Sequence, residues 1–251
     1  MATTIDSIKE KLSNVRLRHS ATVLDEVLKN ATDKALSYEK FLESLLNQEI
    51  KSREEKKFER LMKQANFPQY QTLDEFDISQ QESLSERQLN QLKELTWIEQ
   101  GFNLILLGPP GTGKTMLSVG LGIHTIQNGY KAVFTTMHDL LHYLKTQEIV
   151  NSARTRIKRM IDADLVIIDD LMFMAMEKHE ANLFFQFINK LYGQTSIIIT
   201  SNKGPEGWGE LLGDPAITTA ILDRIVHRCE VIHLAGDSYR LKYRVSIFGS
   251  N

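Results

Sequence analysis

Cysteine is nearly missing from this chain: Cys229 is the one example in 251 residues. That excludes an internal disulfide and any cysteine-rich zinc module, and a lone thiol of this kind is expected to pack as a small hydrophobe. Long apolar runs are missing too. No stretch approaches the roughly 20 apolar residues of a membrane span, and the opening MATTIDSIKEK lacks the apolar core of a secretory signal. The expected location is therefore cytoplasmic, with no membrane partner. Net charge is almost absent, −2 at pH 7, which argues against a global polycation but not against a local basic surface. The histidines at 124, 138, 142, 179, 227 and 233 show no metal-ligand spacing. What remains, 42% hydrophobic and 25% charged residues, is an ordinary globular composition sufficient for one larger and one smaller domain.

The charge that is present is unevenly placed. Between Lys145 and Arg159 five basic residues face one acid, Glu148, and between Arg224 and Arg244 five more stand against Glu230 and Asp237. From Phe67 to Gln100 the balance is acidic.

Three helical stretches fill the region to Asn66, with no Gly or Pro interrupting them and with Tyr38, Phe41, Leu42, Leu45 and Leu46 at helical spacing. The third continues as KSREEKKFERLMK, charged nearly all round, and Pro68 ends it. Residues 1–66 are thus expected to form a small all-helical N-terminal domain for DNA or partner interaction. Residues 67–100 read as a linker and entry to the core, in which Thr72-x-x-Glu75 and Ser83-x-x-Glu86 resemble capping boxes. From residue 101 to 251 apolar runs alternate with helical ones: 103–107, 132–136, 165–169, 196–200 and 230–234 are the expected strands. That alternation predicts an α/β domain with a parallel five-stranded sheet and ligands at the carboxyl ends of its strands.

Residues 106–115 read LLGPPGTGKT. Gly108, Pro109, Pro110, Gly111, Thr112, Gly113, Lys114 and Thr115 form a P-loop pattern between a strand and a helix, where glycines let backbone N–H groups turn inward on phosphate oxygens. Lys114 would reach the β- and γ-phosphates, and Thr115 would offer its hydroxyl to Mg²⁺. LVIIDD then supplies a buried strand with two carboxylates at its exit. Asp169 is the expected Mg²⁺ ligand and Asp170 the general base for the attacking water. Many proteins with this motif carry Glu at the second position; Asp is one methylene shorter, which predicts slow hydrolysis. The acids must stand beside the phosphates, so the 132–136 strand lies outside them and the strand ending in Thr200-Ser201-Asn202 fills the gap to the first strand. Asn202 is placed there to meet the γ-phosphate or the lytic water. Asp214 and Pro215 cap a helix whose far end carries Asp223, Arg224 and Arg228. Arg224 either projects to a neighbouring subunit's γ-phosphate or pairs locally with Asp223 or a helix end. Arg240 is either a phosphate sensor or a surface charge.

The P-loop, LVIIDDL, TSN, GWGELLGDPAITTAILDRIVHR and GDSYR together resemble the IstB family, ATPases that assist transposition of a class of bacterial insertion sequences, and more distantly the DnaC and DnaI helicase loaders. The likeness spans the chain from about Phe67 onward and, more loosely, the helical N-terminus. It implies an AAA+ core without a separate lid, ATP and Mg²⁺ as cofactors, ATP-dependent homo-oligomers on duplex DNA, an arginine finger at Arg224 with Arg228 as the alternative, and a cognate transposase or helicase as partner. A small-molecule kinase would also carry a P-loop, but no Arg-rich lid insertion lies between the strands. For DNA, Arg154, Arg156, Lys158 and Arg159 are the first candidates, since such side chains neutralise phosphates without reading bases; the alternative is a solvated helix face. Arg16, Arg18, His19 and the Lys51–Lys57 run are further candidates. LMFMAMEKH, residues 171–179, either forms an adaptable contact surface or packs.

Overall fold

The computed structural model describes residues 4–239 except 82, 172–175, 210–213 and 237. The chain divides into two compact units, Met1–Arg60 and Leu61–Asn251.

The first unit holds α1 (Thr4–Asn14), α2 (Arg18–Asp33) and most of α3 (Tyr38–Ala65). Its core is small: Leu24, Val27 and Leu45 are buried, with Leu12, Val23, Leu28 and Phe41 packed against them. The spacings Leu24/Val27 and Phe41/Leu45 are the three- and four-residue intervals that place side chains on one helix face. A polar knot supplements this core. The buried Glu49 carboxylate accepts from Ser20 N (2.8 Å) and Arg53 Nε (2.8 Å), and Arg53 also donates to the Arg16 carbonyl at 2.6 Å. The charged run after Lys51 is helical throughout, and α3 ends where Asn66 turns left-handed (φ 61°), two residues before Pro68.

In the second unit, two short 3₁₀ turns, α4 (Glu86–Lys93) and α5 (Thr96–Glu99) lead into the sheet. Thr72 and Glu75 form the expected capping box at the first turn. The second box differs from the expectation: α4 is capped by Ser85 with Gln88, while Ser83 Oγ accepts from Ala235 N. Glutamine closes such a box as well as glutamate does.

The strands are β1 (Asn103–Leu107), β2 (Ala132–Thr136), β3 (Leu165–Asp169), β4 (Ser196–Ser201) and β5 (Cys229–His233), all parallel, in the order β2-β3-β4-β1-β5. The fourth strand fills the gap between the first and third, and β2 lies at the edge beyond the acids, as the sequence requires. Between the strands run α6 (Lys114–Gln127), α7 (Met137–Thr146), α8 (Asn151–Ile161), α9 (Lys178–Leu191) and α10 (Pro215–Val226), the last with Asp214 accepting from Ala216 N and Ile217 N at its N-cap. Alternate strand residues such as Ile105, Val166, Ile168, Ile197 and Ile199 pack with Leu140, Met160, Phe184, Phe187 and Ile225 in one core. Burial of both sheet faces is what continuous Ile/Val/Leu strands demand.

One expected DNA contact is corrected here. Arg156 is not on a surface: it is 9% exposed, and its guanidinium donates to Gln64 O (2.8 Å), Ala65 O (3.3 Å) and Phe134 O (2.5 Å). It thereby satisfies the last carbonyls of α3 and a carbonyl of the edge strand β2, orphan acceptors that a helix end and a sheet edge leave behind. Arg156→Met is expected to remove about 2–4 kcal/mol of stability by stranding these acceptors, with a melting temperature about 5–10 °C lower. Lys158→Met, on the exposed face of the same helix, is expected to stay within about 0.5 kcal/mol. Denaturant titration of the two variants side by side checks this, and equal stabilities would contradict it.

Candidate nucleotide site

The site is built at the carboxyl ends of β1, β3 and β4. The P-loop follows β1 directly, and two of its glycines are required by space as well as by backbone. A Cβ on Gly108 (φ 152°) would stand 2.1 Å from the Leu234 carbonyl oxygen, and one on Gly111 (φ 87°) 2.1 Å from Ser238 Oγ. The segment after β5 therefore closes on the loop, and Tyr239 N donates to Gly111 O at 3.0 Å. Thr112 Oγ1 donates to Pro109 O (2.9 Å), bracing the turn across Pro110. Lys114 is buried, with Nζ 2.7 Å from Gly108 O and 2.8 Å from Pro109 O. Its ammonium rests on the loop's own carbonyls, in the position from which it can meet a phosphate.

Thr115 Oγ1 lies 3.1 Å from both carboxylate oxygens of Asp169. A hydroxyl and a carboxylate facing each other are hard oxygen donors, and Mg²⁺ takes one or two such protein ligands and fills its shell with phosphate oxygens and water. The pair fits that ion. Asp169 is buried, and its Oδ1 also accepts from Thr200 Oγ1 at 2.6 Å. The same Thr200 oxygen accepts from Asp170 N at 2.9 Å. Asp170 has left-handed backbone geometry (φ 56°), which Asp tolerates better than most residues, and its side chain is exposed. Asn202 is exposed immediately after β4. Thr200 is the residue that inspection of the motifs passes over. The polar end of the strand that must adjoin the acids is the signal for it.

Arg224 and Arg228 sit at the opposite end of the sheet. Arg228 O accepts from Asn103 N, the first residue of β1. Five residues of strand separate Asn103 from Gly108, about 16 Å at the usual rise. Arg224 is neither paired with Asp223 nor free: its Nε donates to Asn189 Oδ1 (3.0 Å), its NH1 to Ala220 O (2.8 Å), and its guanidinium carbon stands 4.8 Å from the centroid of the Phe185 ring. Arg228 donates to Gln100 O at 3.0 Å. Both arginines line a cleft of ≈ 420 Å³ together with Tyr192, Gln194 and His227.

Of the basic run, Arg154, Lys158 and Arg159 are exposed on α8, Arg154 also donating to Gln147 O and Glu148 O. Arg240 lies outside the described residues, as do Met172, Phe173 and Met174 of the methionine-rich run; Leu171 and Met176 are buried in the core. The Cys229 thiol is pushed up to about 12, first by burial and then by Glu230, so it is inert at neutral pH. Among the described residues no helix is long and apolar enough to cross a membrane.

A family model described as IstB-like ATP binding protein matches residues 10–246. The chain belongs to this family. An IS21-like insertion-sequence ATP-binding protein of Bacteroides fragilis is 38% identical over 96% of this chain and 92% of its own length. The corresponding IS21 protein of Pseudomonas aeruginosa is 36% identical over 92% and 87%. Among solved structures, DnaI superposes with a TM-score of 0.55 at 17% identity, covering 68% of this chain and 90% of that one. AMPPCP-bound DnaA from Aquifex aeolicus gives 0.54 at 19%, covering 70% and 54%. These two likenesses agree with the fold described above, a parallel α/β sheet with a phosphate loop after its first strand.

Burial raises the pKa of Asp169; the Thr200 hydrogen bond opposes the rise and the nearby Asp170 charge adds to it. The folded protein therefore holds this proton to higher pH than the unfolded chain does. Its ionisation costs stability, a loss that sets in as pH rises above the ordinary carboxylate value. Asp169→Asn is expected to raise the melting temperature of the nucleotide-free protein at pH 7 by about 2–4 °C, while abolishing Mg²⁺-dependent strengthening of nucleotide binding. The thermal advantage is expected to shrink as pH falls towards the carboxylate range. Thermal melts at several pH values check the sign, and a lower melting temperature at pH 7 would contradict it.

Proposed function

We propose that this chain is an ATP-dependent switch that assembles into homo-oligomers on duplex DNA and there recruits and stimulates the transposase of its insertion sequence. The observation that carries this reading is the polarity of the sheet. The phosphate loop, Thr115, Asp169 and Asp170 gather at one end, while Arg224 and Arg228 occupy the other, about 16 Å of strand away. A cation held so far from its own loop is suited to a second subunit's nucleotide.

In this reading the P-loop N–H groups and Lys114 bind the phosphates, and Thr115 and Asp169 hold the Mg²⁺ that accompanies them. That ion, when bound, neutralises charge on the β- and γ-oxygens. Asp170 accepts the proton of the attacking water, Asn202 orients that water or the γ-phosphate, and Arg224 from the neighbour stabilises the charge that develops on transfer. Hydrolysis is slow, because the shorter Asp stands where a Glu is common. Arg154, Lys158 and Arg159 neutralise DNA phosphates along the exposed face of α8. Identities of 36–38% to insertion-sequence proteins, against 17% to DnaI, support transposition over helicase loading.

Two experiments test it. Asp170→Asn and Arg224→Ala are each expected to lose about 10³-fold in ATP turnover, as removal of a base or of a trans-acting finger does. In mixtures, an Asp170→Asn subunit supplies Arg224 to an Arg224→Ala subunit that keeps Asp170, so partial activity is expected to return. No recovery in mixtures that co-assemble would remove the finger assignment from Arg224. For DNA, Lys158→Ala with Arg159→Ala is expected to weaken binding to all sequences and to flatten the plot of log affinity against log salt by about 0.9 for each phosphate no longer neutralised. A weaker affinity at unchanged slope would mean that these residues act through assembly.

A further inference from the structure

A buried acceptor on the rim of the P-loop has no donor. The linker before the core folds back on the loop: Phe76 Cε2 lies 3.2 Å from where a Cβ on Gly113 would be, and Gln81 Nε2 donates to Thr112 O at 2.9 Å. The segment after β5 meets the same rim through Ser238 and Tyr239, and the Tyr239 hydroxyl reaches back to Asp77 of the linker at 3.4 Å. Because Thr112 O accepts only, the Gln81 atom facing it is the NH₂ group, which fixes the amide carbonyl on the other side. That atom, Gln81 Oε1, is buried with no hydrogen-bond partner.

An unsatisfied acceptor of this kind costs stability unless something completes it. Its place suggests what does. The N–H groups of a P-loop turn inward on phosphates, and Gln81, bonded to Thr112 O, borders that loop from the linker side. A nucleotide whose phosphates are seated in the loop must carry its base out past the rim. On the linker side that rim holds the Phe76 ring against Gly113 and one acceptor that needs a donor. Adenine offers such a donor in its 6-amino group. Guanine carries an oxygen at the same position and would set lone pair against lone pair.

The geometry points to Gln81 as the residue that reads purine position 6 and so selects adenine over guanine nucleotides. The assignment rests on the P-loop being the ATP site, and it adds a specificity element to it. Gln81 works while held by Thr112, so the loop that grips the phosphates also sets the register of the base reader.

The test uses the full-length protein with ATP, GTP and the triphosphate of purine riboside, which differs from ATP only in lacking the 6-amino group. In the unaltered protein, removing that group is expected to weaken binding about tenfold, the cost of leaving one buried acceptor unpaired, and GTP is expected to bind more weakly still. In Gln81→Met, ATP and the purine analogue are expected to bind within about twofold of each other. The first comparison needs no variant, so it stands whether or not Gln81→Met folds. Equal binding of ATP and the analogue by the unaltered protein would overturn the inference, with water completing Oε1 instead. Full discrimination persisting in Gln81→Met would overturn it too, by placing the base reader elsewhere. Failure of every nucleotide to bind would overturn the ATP site itself and this inference with it.

Discussion

A single hydroxyl, Thr200 Oγ1, holds both acids of the site. It donates to Asp169 Oδ1 and accepts from Asp170 N, so one oxygen fixes the expected metal ligand and the turn that presents the expected base. This is possible only because β4 is inserted between β1 and β3, pairing Thr200 with Leu106 just before the P-loop. The next residue continues the link, since Gly108 N donates to Ser201 O at 3.3 Å. β4 thus ties the loop to the acids from the middle of the sheet. Its residues 196–201 are all buried, which keeps the strand end from shifting.

The cost of that arrangement is local. Asp169 is removed from water, and the hydroxyls of Thr115 and Thr200 return only part of what hydration gave. A carboxylate kept in such surroundings is badly placed for stability and well placed for a cation that enters with phosphates, the usual trade at a functional site.

Much of this was legible in the residues because each signal had one physical meaning. The LLGPPGTGKT string has few uses other than phosphate binding, the apolar run before Asp169 and Asp170 reads as a buried strand, and the need to bring those acids to the loop dictated the strand order. Asp214-Pro215 could be read as a cap because proline suits the first helical position. Other features depended on which way a helix faces. Counting charge in residues 145–159 placed Arg156 with the DNA candidates, although Ala153, Arg156, Ile157 and Met160 share the buried face of α8. The three- and four-residue spacing of that stripe contained the answer, but charge outweighed it. Thr200, Gln81 and Asn189 were not legible as parts of the site. Thr200 acts through Asp169 and Asp170, Gln81 through Thr112 and Asn189 through Arg224, all far away in sequence, and such pairings exist only once the chain is folded.

The two candidate fingers differ in how much of their conformational freedom folding has already removed. Arg228 is exposed, and its guanidinium donates to Gln100 O. Arg224 is half-buried, bonded to Asn189 and Ala220 and lying against the Phe185 ring. Ordering a long side chain at an interface costs roughly 0.5–1.5 kcal/mol, and a guanidinium already stacked and bonded on α9 avoids part of that cost. A group that must meet developing charge without reorganising benefits most from being set in advance. By that criterion Arg224 suits the proposed finger role better than Arg228 does, since Phe185 and Asn189 already hold its guanidinium in place. Arg228, fixed to the carbonyl that precedes Gly101 and joined through its own carbonyl to Asn103, is better suited to holding the amino end of the sheet together.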